Sequence, residues 1–162
     1  MLFENLLLYY FSFTFANQIC CEKMNFNANG YLDPGIHKMT WKEFYDFFSF
    51  SPRRKELLDG LERALNILRE IKSIRIYIDG SFVTNKLEPG DWDACFECPI
   101  PHIEDLLKKY PLFDRKEQKR LYKGELFYAF SQADEYGTKY LDFFQQLRES
   151  SVIKKGIVEL IE

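Results

Sequence analysis

The spacing of hydrophobic positions along the chain predicts both helices and strands. After Ser51-Pro52, which suits a helix start, apolar residues recur in steps of four and three and define one buried helix face: Leu57, Leu61, Ala64, Leu68 and Ile71. Residues 74–79 instead alternate, with Ile74, Ile76 and Ile78 on one side. This period of two predicts a strand.

Weaker patterns complete the expected order of elements. Thr40 followed by Glu43 forms a capping-box pattern before an aromatic-rich segment, which predicts a helix there. Further strands are predicted over 91–97, 125–129 and 157–160, and a short helix over 103–109. Residues 138–148 suit a helix, although 140–144 could equally be extended. We expect an α+β fold, a small mixed sheet with covering helices, in which N-terminal helices precede the first strand.

The first 23 residues differ from the remainder. The run from Leu6 to Phe15 is apolar but shorter than the roughly 20 residues that span a bilayer. Glu4 stands where a signal peptide carries positive charge, and no small-residue cleavage site follows. We expect residues 1–23 to be a hydrophobic extension that is either non-native or flexible. Met24 is then the expected natural start. A segment that packs on the domain or a partner, and a secretion signal, remain the alternatives.

Composition fits one globular domain over residues 24–162. Hydrophobic residues make up 46% of the 162-residue chain, and its net charge of −3 gives no broad electrostatic case for nucleic-acid binding. Cys95 and Cys98 form one C-x-x-C pair, too few ligands for a structural zinc site. We therefore expect buried, reduced cysteines and a cytoplasmic protein.

Candidate chemistry is concentrated just after the strand 74–79. Gly80-Ser81 predicts a tight turn, and nine residues later Asp91-Trp92-Asp93 begins the next predicted strand. Carboxylates at i and i+2 on a strand point to the same face, with Cα atoms about 6.5–7 Å apart. That spacing suits one or two hard cations, because paired catalytic metals lie about 3.5–4 Å apart.

This arrangement resembles the signature of the polymerase-beta-like nucleotidyltransferase superfamily: Gly-(Gly/Ser), a spacer, then acid-apolar-acid on the following strand. Most of the chain, over 26–160, is also similar to an uncharacterised bacterial nucleotidyltransferase-like family. The matching segments include 29–37, 40–44, 77–84, 89–93, 124–127, 141–145 and 155–158. Trp92 departs from the aliphatic residue usual between the two acids.

The resemblance implies a role for each matching residue. Gly80 and Ser81 would hold the nucleotide's phosphates, and Asp91 and Asp93 would coordinate Mg²⁺ or Mn²⁺. Superfamily enzymes usually add a third carboxylate, for which Glu125 is the candidate.

Two further residues bear on this site. Asp142 is the alternative to Glu125 as the third carboxylate. Lys86, in the spacer between the glycine turn and the acids, could reach a phosphate and is also expected to bind the nucleotide.

The implied activity is transfer of a nucleoside monophosphate from an NTP to a hydroxyl of a protein, RNA or small molecule, in a toxin–antitoxin or phage-defence setting. The alternative is a catalytically weak nucleotide-binding or protein-interaction module, antitoxin-like, that keeps the fold. A membrane-associated interaction protein using residues 5–15 is a third hypothesis, although no stable membrane association is expected. A homodimer or a toxin–antitoxin partner is the expected assembly.

Other charged residues are expected to play no part in the site. Arg53 and Arg54 in a first helical turn, Lys119-Arg120 and Lys154-Lys155 are interpreted as solvated charge, and His37 as a loop residue with a structural hydrogen bond. Asp79 either supports the site or caps the strand end.

Overall fold

A computed structural model describes residues 24–73, 75–98, 108–147 and 150–161. Its strands are β1 (Gly35–Thr40), β2 (Arg75–Asp79), β3 (Trp92–Glu97), β4 (Gly124–Tyr128), β5 (Gln146–Leu147), β6 (Ser150–Lys154) and β7 (Gly156–Ile161). Its α-helices are α1 (Trp41–Phe48), α2 (Pro52–Glu70), α3 (Arg115–Glu117) and α4 (Tyr140–Phe144). A π-helical segment, Gln118–Tyr122, continues α3, and 3₁₀ turns span Gly80–Val83 and Pro111–Phe113.

The strands form a mixed five-stranded sheet in the order β1-β7-β2-β3-β4, and β5 and β6 pair separately. The outer pairs, β1 with β7 and β3 with β4, are parallel. The central strand β2 is antiparallel to both of its neighbours. The expected α+β class, with a small mixed sheet and covering helices, is confirmed.

Both N-terminal helices begin where the sequence predicts. Thr40 and Glu43 complete a reciprocal capping box at α1, and the Ser51 hydroxyl accepts a hydrogen bond from the Arg54 amide at α2. Pro52 occupies the first helical position, where its missing N–H costs nothing. The predicted apolar face of α2 is buried throughout.

Alternation along the strands gives the sheet two different faces. On one face, Ile78, Ala94 and Leu126 pack against α1 and α2 in the main hydrophobic core. The opposite face carries Tyr77 and Cys95 in a smaller cluster, which α4 partly covers through Phe144. Polar side chains can therefore lie on this second face beyond the edge of that cluster.

The expected order is wrong at one point, because β1 precedes both helices. His37 is predicted to lie in a loop, but it belongs to the parallel edge strand β1, whose Gly35 lies opposite Gly156. Tyr140–Phe144 is helical, as the first of the two alternatives predicts, but the helix α4 covers only part of 138–148, and the short strand β5 follows it.

The remaining predicted strands are present. β3 begins one residue later and β4 one residue earlier than predicted, and β7 extends the prediction at both ends. The predicted helix 103–109 lies largely outside the described residues, although 108 and 109 are helical. The extension 1–23 and Ile74 also lie outside them. Among the described residues, no helix is long and apolar enough to cross a membrane.

Candidate functional site

The strand pairing places three acidic residues side by side on the second face of the sheet. Asp79 on β2 lies opposite Asp93 on β3, and Asp93 lies opposite Glu125 on β4. Directly opposed residues on paired strands project to the same side. Asp91 lies two residues before Asp93, immediately ahead of β3, and completes the group. We call Asp79, Asp91, Asp93 and Glu125 the acidic cluster.

Three members of the acidic cluster lie close enough to share one cation. One carboxylate oxygen from each of Asp91, Asp93 and Glu125 lies within 4.8 Å of the others, and all three residues are partly exposed. Oxygen-only, negatively charged donors are the set that Mg²⁺ and Mn²⁺ prefer. The residues present therefore fit such an ion.

Gly80 allows the turn after β2 to lie directly against Asp93. Its φ of +77° is in the left-handed region, and a Cβ built there would lie 2.1 Å from Asp93 Oδ2. Only glycine meets both conditions without strain. Ser81 follows in the same 3₁₀ turn, is partly exposed, and its hydroxyl has no hydrogen-bond partner among the described residues. The turn thus presents an available hydroxyl near the acidic cluster.

Crowding changes the proton affinity of the central acid. Burial, and then the negative charges of Asp91, Asp79 and Glu125, raise the pKa of Asp93 from 3.8 to about 7. Like charges held together disfavour ionisation of one another, whereas a bound cation reverses that effect. The acidic cluster therefore carries uncompensated negative charge near neutral pH.

Two lysines compensate part of that charge, and both correct the expectation of solvated surface charge. Lys119 Nζ lies 2.9 Å from Asp91 Oδ2 and 3.1 Å from Glu125 Oε2. Lys155 Nζ lies 2.5 Å from Asp79 Oδ1, in a pair whose side chains are only 12% and 8% exposed. Within the described ranges, neither lysine forms an ion pair with Asp93.

Trp92, the residue between the two acids, faces the helices and is fully buried. Its indole ring fits over β4 because its partner there is Gly124, where a Cβ would lie 2.0 Å from the ring. Its Nε1 donates a hydrogen bond to the Tyr122 carbonyl at 2.8 Å. Trp92 stands where the superfamily motif usually has an aliphatic residue. It thus links β3 to the π-helical segment that carries Lys119.

A model of the family described as "Family of unknown function (DUF6932)" matches residues 24–161. The chain belongs to the DUF6932 family. No curated protein and no solved structure matches the chain.

In this DUF6932 chain, Arg54 is fully buried, which corrects its interpretation as solvated charge. Its guanidinium donates to the carbonyls of Phe82 at 2.8 Å, Thr84 at 2.6 Å and Lys86 at 2.8 Å. Burial lowers its pKa to about 10. One side chain thus fastens the segment after the glycine turn to α2. The unfavourable place of a cation in a first helical turn indicates a partner but does not identify these carbonyls.

Arg53 and Lys86 play lesser parts. Arg53 pairs with Glu56 at 2.7 Å and donates to the Pro89 carbonyl at 3.2 Å, so it also contacts the spacer. Lys86, expected to bind the nucleotide, is exposed, and its side chain forms no ion pair within the described ranges. The structure does not bring Lys86 into contact with the acidic cluster.

The remaining candidates have clear positions. Asp142, the alternative third carboxylate, is exposed on α4 and is not among the three grouped acids. His37 lies in β1, not in a loop, and its Nε2 forms the expected structural hydrogen bond, 2.7 Å from the Asp33 carbonyl. Cys95 and Cys98 are buried and free, as expected, and burial raises the pKa of the Cys95 thiol.

Proposed function

We propose that this protein is a metal-dependent nucleotidyltransferase that moves a nucleoside monophosphate from an NTP to a hydroxyl group. The observation that carries the proposal is the approach of Asp91, Asp93 and Glu125 to within 4.8 Å beside the Gly80–Val83 turn. This is the arrangement that the resemblance to polymerase-beta-like nucleotidyltransferases implies, and Glu125 supplies the carboxylate that the motif alone lacks.

The residues have distinct tasks in this proposal. Asp91 and Asp93, with Glu125, hold Mg²⁺ or Mn²⁺, which when bound activates the acceptor hydroxyl and neutralises charge on the phosphates. The Ser81 hydroxyl and the backbone at Gly80 hold the phosphate chain.

The transfer itself exchanges one phosphorus–oxygen bond for another. The acceptor oxygen bonds to the α-phosphorus, the bond from that phosphorus to the pyrophosphate oxygen breaks, and pyrophosphate leaves. The hydroxyl proton would pass to a carboxylate of the acidic cluster, for which Glu125, opposite Asp93 on β4, is the candidate.

A catalytically weak nucleotide-binding or protein-interaction module is the second candidate. The observation in its favour is that the Lys119 ammonium already bridges Asp91 and Glu125. A lysine fixed there permanently would neutralise the site and leave only binding.

The proposed setting is the cytoplasm. Cys95 and Cys98 are both free and buried, which suits a reducing compartment. The acceptor is a protein, an RNA or a small molecule, because all three present hydroxyl groups.

The test is transfer of label from NTPs. The protein is incubated with each α-labelled NTP and Mg²⁺ or Mn²⁺, alone and with cell extract. We expect label on an acceptor with wild type and with Asp142→Ala, and none with Asp91→Ala or Asp93→Ala. Absence of transfer together with absence of metal-dependent NTP binding would exclude the enzyme. Metal-dependent binding without transfer would favour the binding module.

A further inference from the structure

Lys119 occupies the position from which the acidic cluster would bind a cation. Its Nζ lies 2.9 Å from Asp91 Oδ2 and 3.1 Å from Glu125 Oε2, and these two residues supply two of the three grouped carboxylates. Both pairs raise the pKa of Lys119 to about 12, so the side chain is an ammonium ion at neutral pH. The cluster is thus bridged by a positive charge that the chain itself provides.

An ammonium ion and a divalent cation cannot hold the same oxygens together. Mg²⁺ binds oxygen at about 2.0–2.1 Å, and two positive charges at such close range repel each other strongly. A divalent cation bound by Asp91 and Glu125 therefore disfavours the Lys119 contact, and we expect the ammonium to move away as the cation binds. Its side chain is 55% exposed, and ion pairs this exposed contribute little to stability, so the contact breaks readily.

The backbone below Lys119 is held in place, so the displaced ammonium stays near the acidic cluster. The Gln118 side chain is buried and bonds to Leu126 of β4 twice, donating to its carbonyl and accepting from its amide, each at 3.2 Å. The Tyr122 carbonyl is bonded to Trp92, and Arg63 donates to the Leu121 carbonyl at 2.8 Å. The side chain of Lys119 can therefore move while its backbone stays in place.

We propose that Lys119 is a positioning residue that neutralises Asp91 and Glu125 in the empty site and moves to the phosphate chain when a divalent cation and a polyphosphate bind together. This inference rests on the proposed function. Its consequence is cooperative binding: a free divalent cation must displace Lys119 without compensation, whereas a cation–polyphosphate complex brings an anion for the ammonium to contact. The site therefore selects the complex over the free ion.

The alternative is that Lys119 is only a surface counterion. In that case its removal would act through long-range charge alone: it would tighten binding of the free cation and weaken binding of the anionic complex, and removal of the neighbouring Arg120 would shift both affinities by similar amounts. The two possibilities therefore differ in whether the opposite shifts are confined to Lys119→Met.

The test measures, by calorimetry, the affinity of the full chain for Mn²⁺ alone and for the Mn²⁺–tripolyphosphate complex. Lys119→Met removes the ammonium while keeping a long side chain. Arg120→Met, which removes the neighbouring cation that pairs with Glu117 instead, is the matched control. We expect Lys119→Met to bind Mn²⁺ alone about tenfold more tightly and the complex about tenfold more weakly than wild type, a coupling within the usual range. Arg120→Met should match wild type for both.

Two outcomes would overturn the inference, and they have different meanings. If both variants bind Mn²⁺ and its complex as wild type does, if Lys119→Met shifts both affinities the same way, or if Arg120→Met shifts them as much as Lys119→Met does, Lys119 is not a positioning residue, and the proposed function is untouched. If neither wild type nor Lys119→Met binds Mn²⁺ in any form, the cation site fails and the proposed function fails with it.

Discussion

The Trp92 indole nitrogen donates a hydrogen bond to the Tyr122 carbonyl at 2.8 Å, within the core between the sheet and α2. This bond connects β3, which begins at Trp92 between Asp91 and Asp93, to the end of the π-helical segment that carries Lys119. It also gives a fully buried indole N–H a partner.

Replacing Trp92 with Phe tests that connection. The substitution leaves a cavity and an unbonded carbonyl at Tyr122, so we expect a loss of about 2–4 kcal/mol in the free energy of unfolding, measured in urea. Trp41→Phe, at a partly exposed position on α1, is the control and should cost well under half as much. Equal losses of unfolding free energy in the two variants would show that the hydrogen bond from Trp92 to the Tyr122 carbonyl adds no stability of its own.

Asp93 should make the metal-free protein less stable at higher pH. Because its pKa is about 7 in the folded state and 3.8 ordinarily, folding takes up a proton between those values. Stability therefore falls as pH rises through that window, and the loss is complete above pH 7. Asp93→Asn removes this cost, so in chelator its melting temperature should exceed that of wild type by about 3 °C or more near pH 8.

The same comparison at lower pH provides the control. Near pH 4 Asp93 is already protonated in the folded protein, so the advantage of Asp93→Asn should largely disappear. Asp142→Asn, at an exposed position on α4, should have the melting temperature of wild type at both pH values. An advantage of Asp93→Asn that is the same at every pH would contradict the electrostatic account.

Gly80→Ala should disable the candidate site, whereas Gly137→Ala should not. Both glycines have positive φ, +77° and +85°, so alanine strains the backbone at each by about 1–2 kcal/mol. At Gly80, however, the new Cβ would meet the Asp93 carboxylate at 2.1 Å, and at Gly137 nothing lies within 4 Å. We expect Gly80→Ala alone to lose Mn²⁺-dependent NTP binding. Equal binding by the two variants would show that the contact with Asp93 is unimportant.

Arg54→Lys should destabilise the protein although it keeps the charge. A compact ammonium cannot replace the planar guanidinium that donates to Phe82, Thr84 and Lys86, so buried carbonyls lose their partners. We expect a loss of about 3 kcal/mol in the free energy of unfolding. Arg63→Lys, an exposed arginine with one bond to a carbonyl, should change it by about 0.5 kcal/mol or less. A similarly small loss of unfolding free energy in Arg54→Lys would mean that Arg54 does not hold the segment after the glycine turn against α2.

The predictable parts of the fold depend on local pattern. The capping box at Thr40, the apolar face of α2 and the isoleucines of β2 are each specified by neighbours within a few residues. Strand β1 is not: its short, weakly apolar sequence begins at Gly35, directly after Pro34, and it becomes a strand by pairing with β7, more than 100 residues later.

The site divides in the same way. The spacing of Asp91 and Asp93 places both on one face from sequence alone, whereas the contribution of Glu125 depends on the β3–β4 register, in which it lies opposite Asp93. The burial of Arg54 and the positions of Lys119 and Lys155 depend on which distant segment lies against each charge. The residues next to a charged side chain in the sequence do not indicate which distant segment it will contact.

A crystal structure with Mn²⁺ and a non-hydrolysable NTP would test the central claim most directly, because anomalous scattering locates the metal independently of interpretation. The account predicts Mn²⁺ bonded to oxygens of Asp91, Asp93 and Glu125, with the phosphates against Gly80 and Ser81 and Lys119 moved away from the carboxylates. Mn²⁺ and NTP bound elsewhere, or an acidic cluster that holds neither at saturating concentrations with Lys119 still in place, would contradict it.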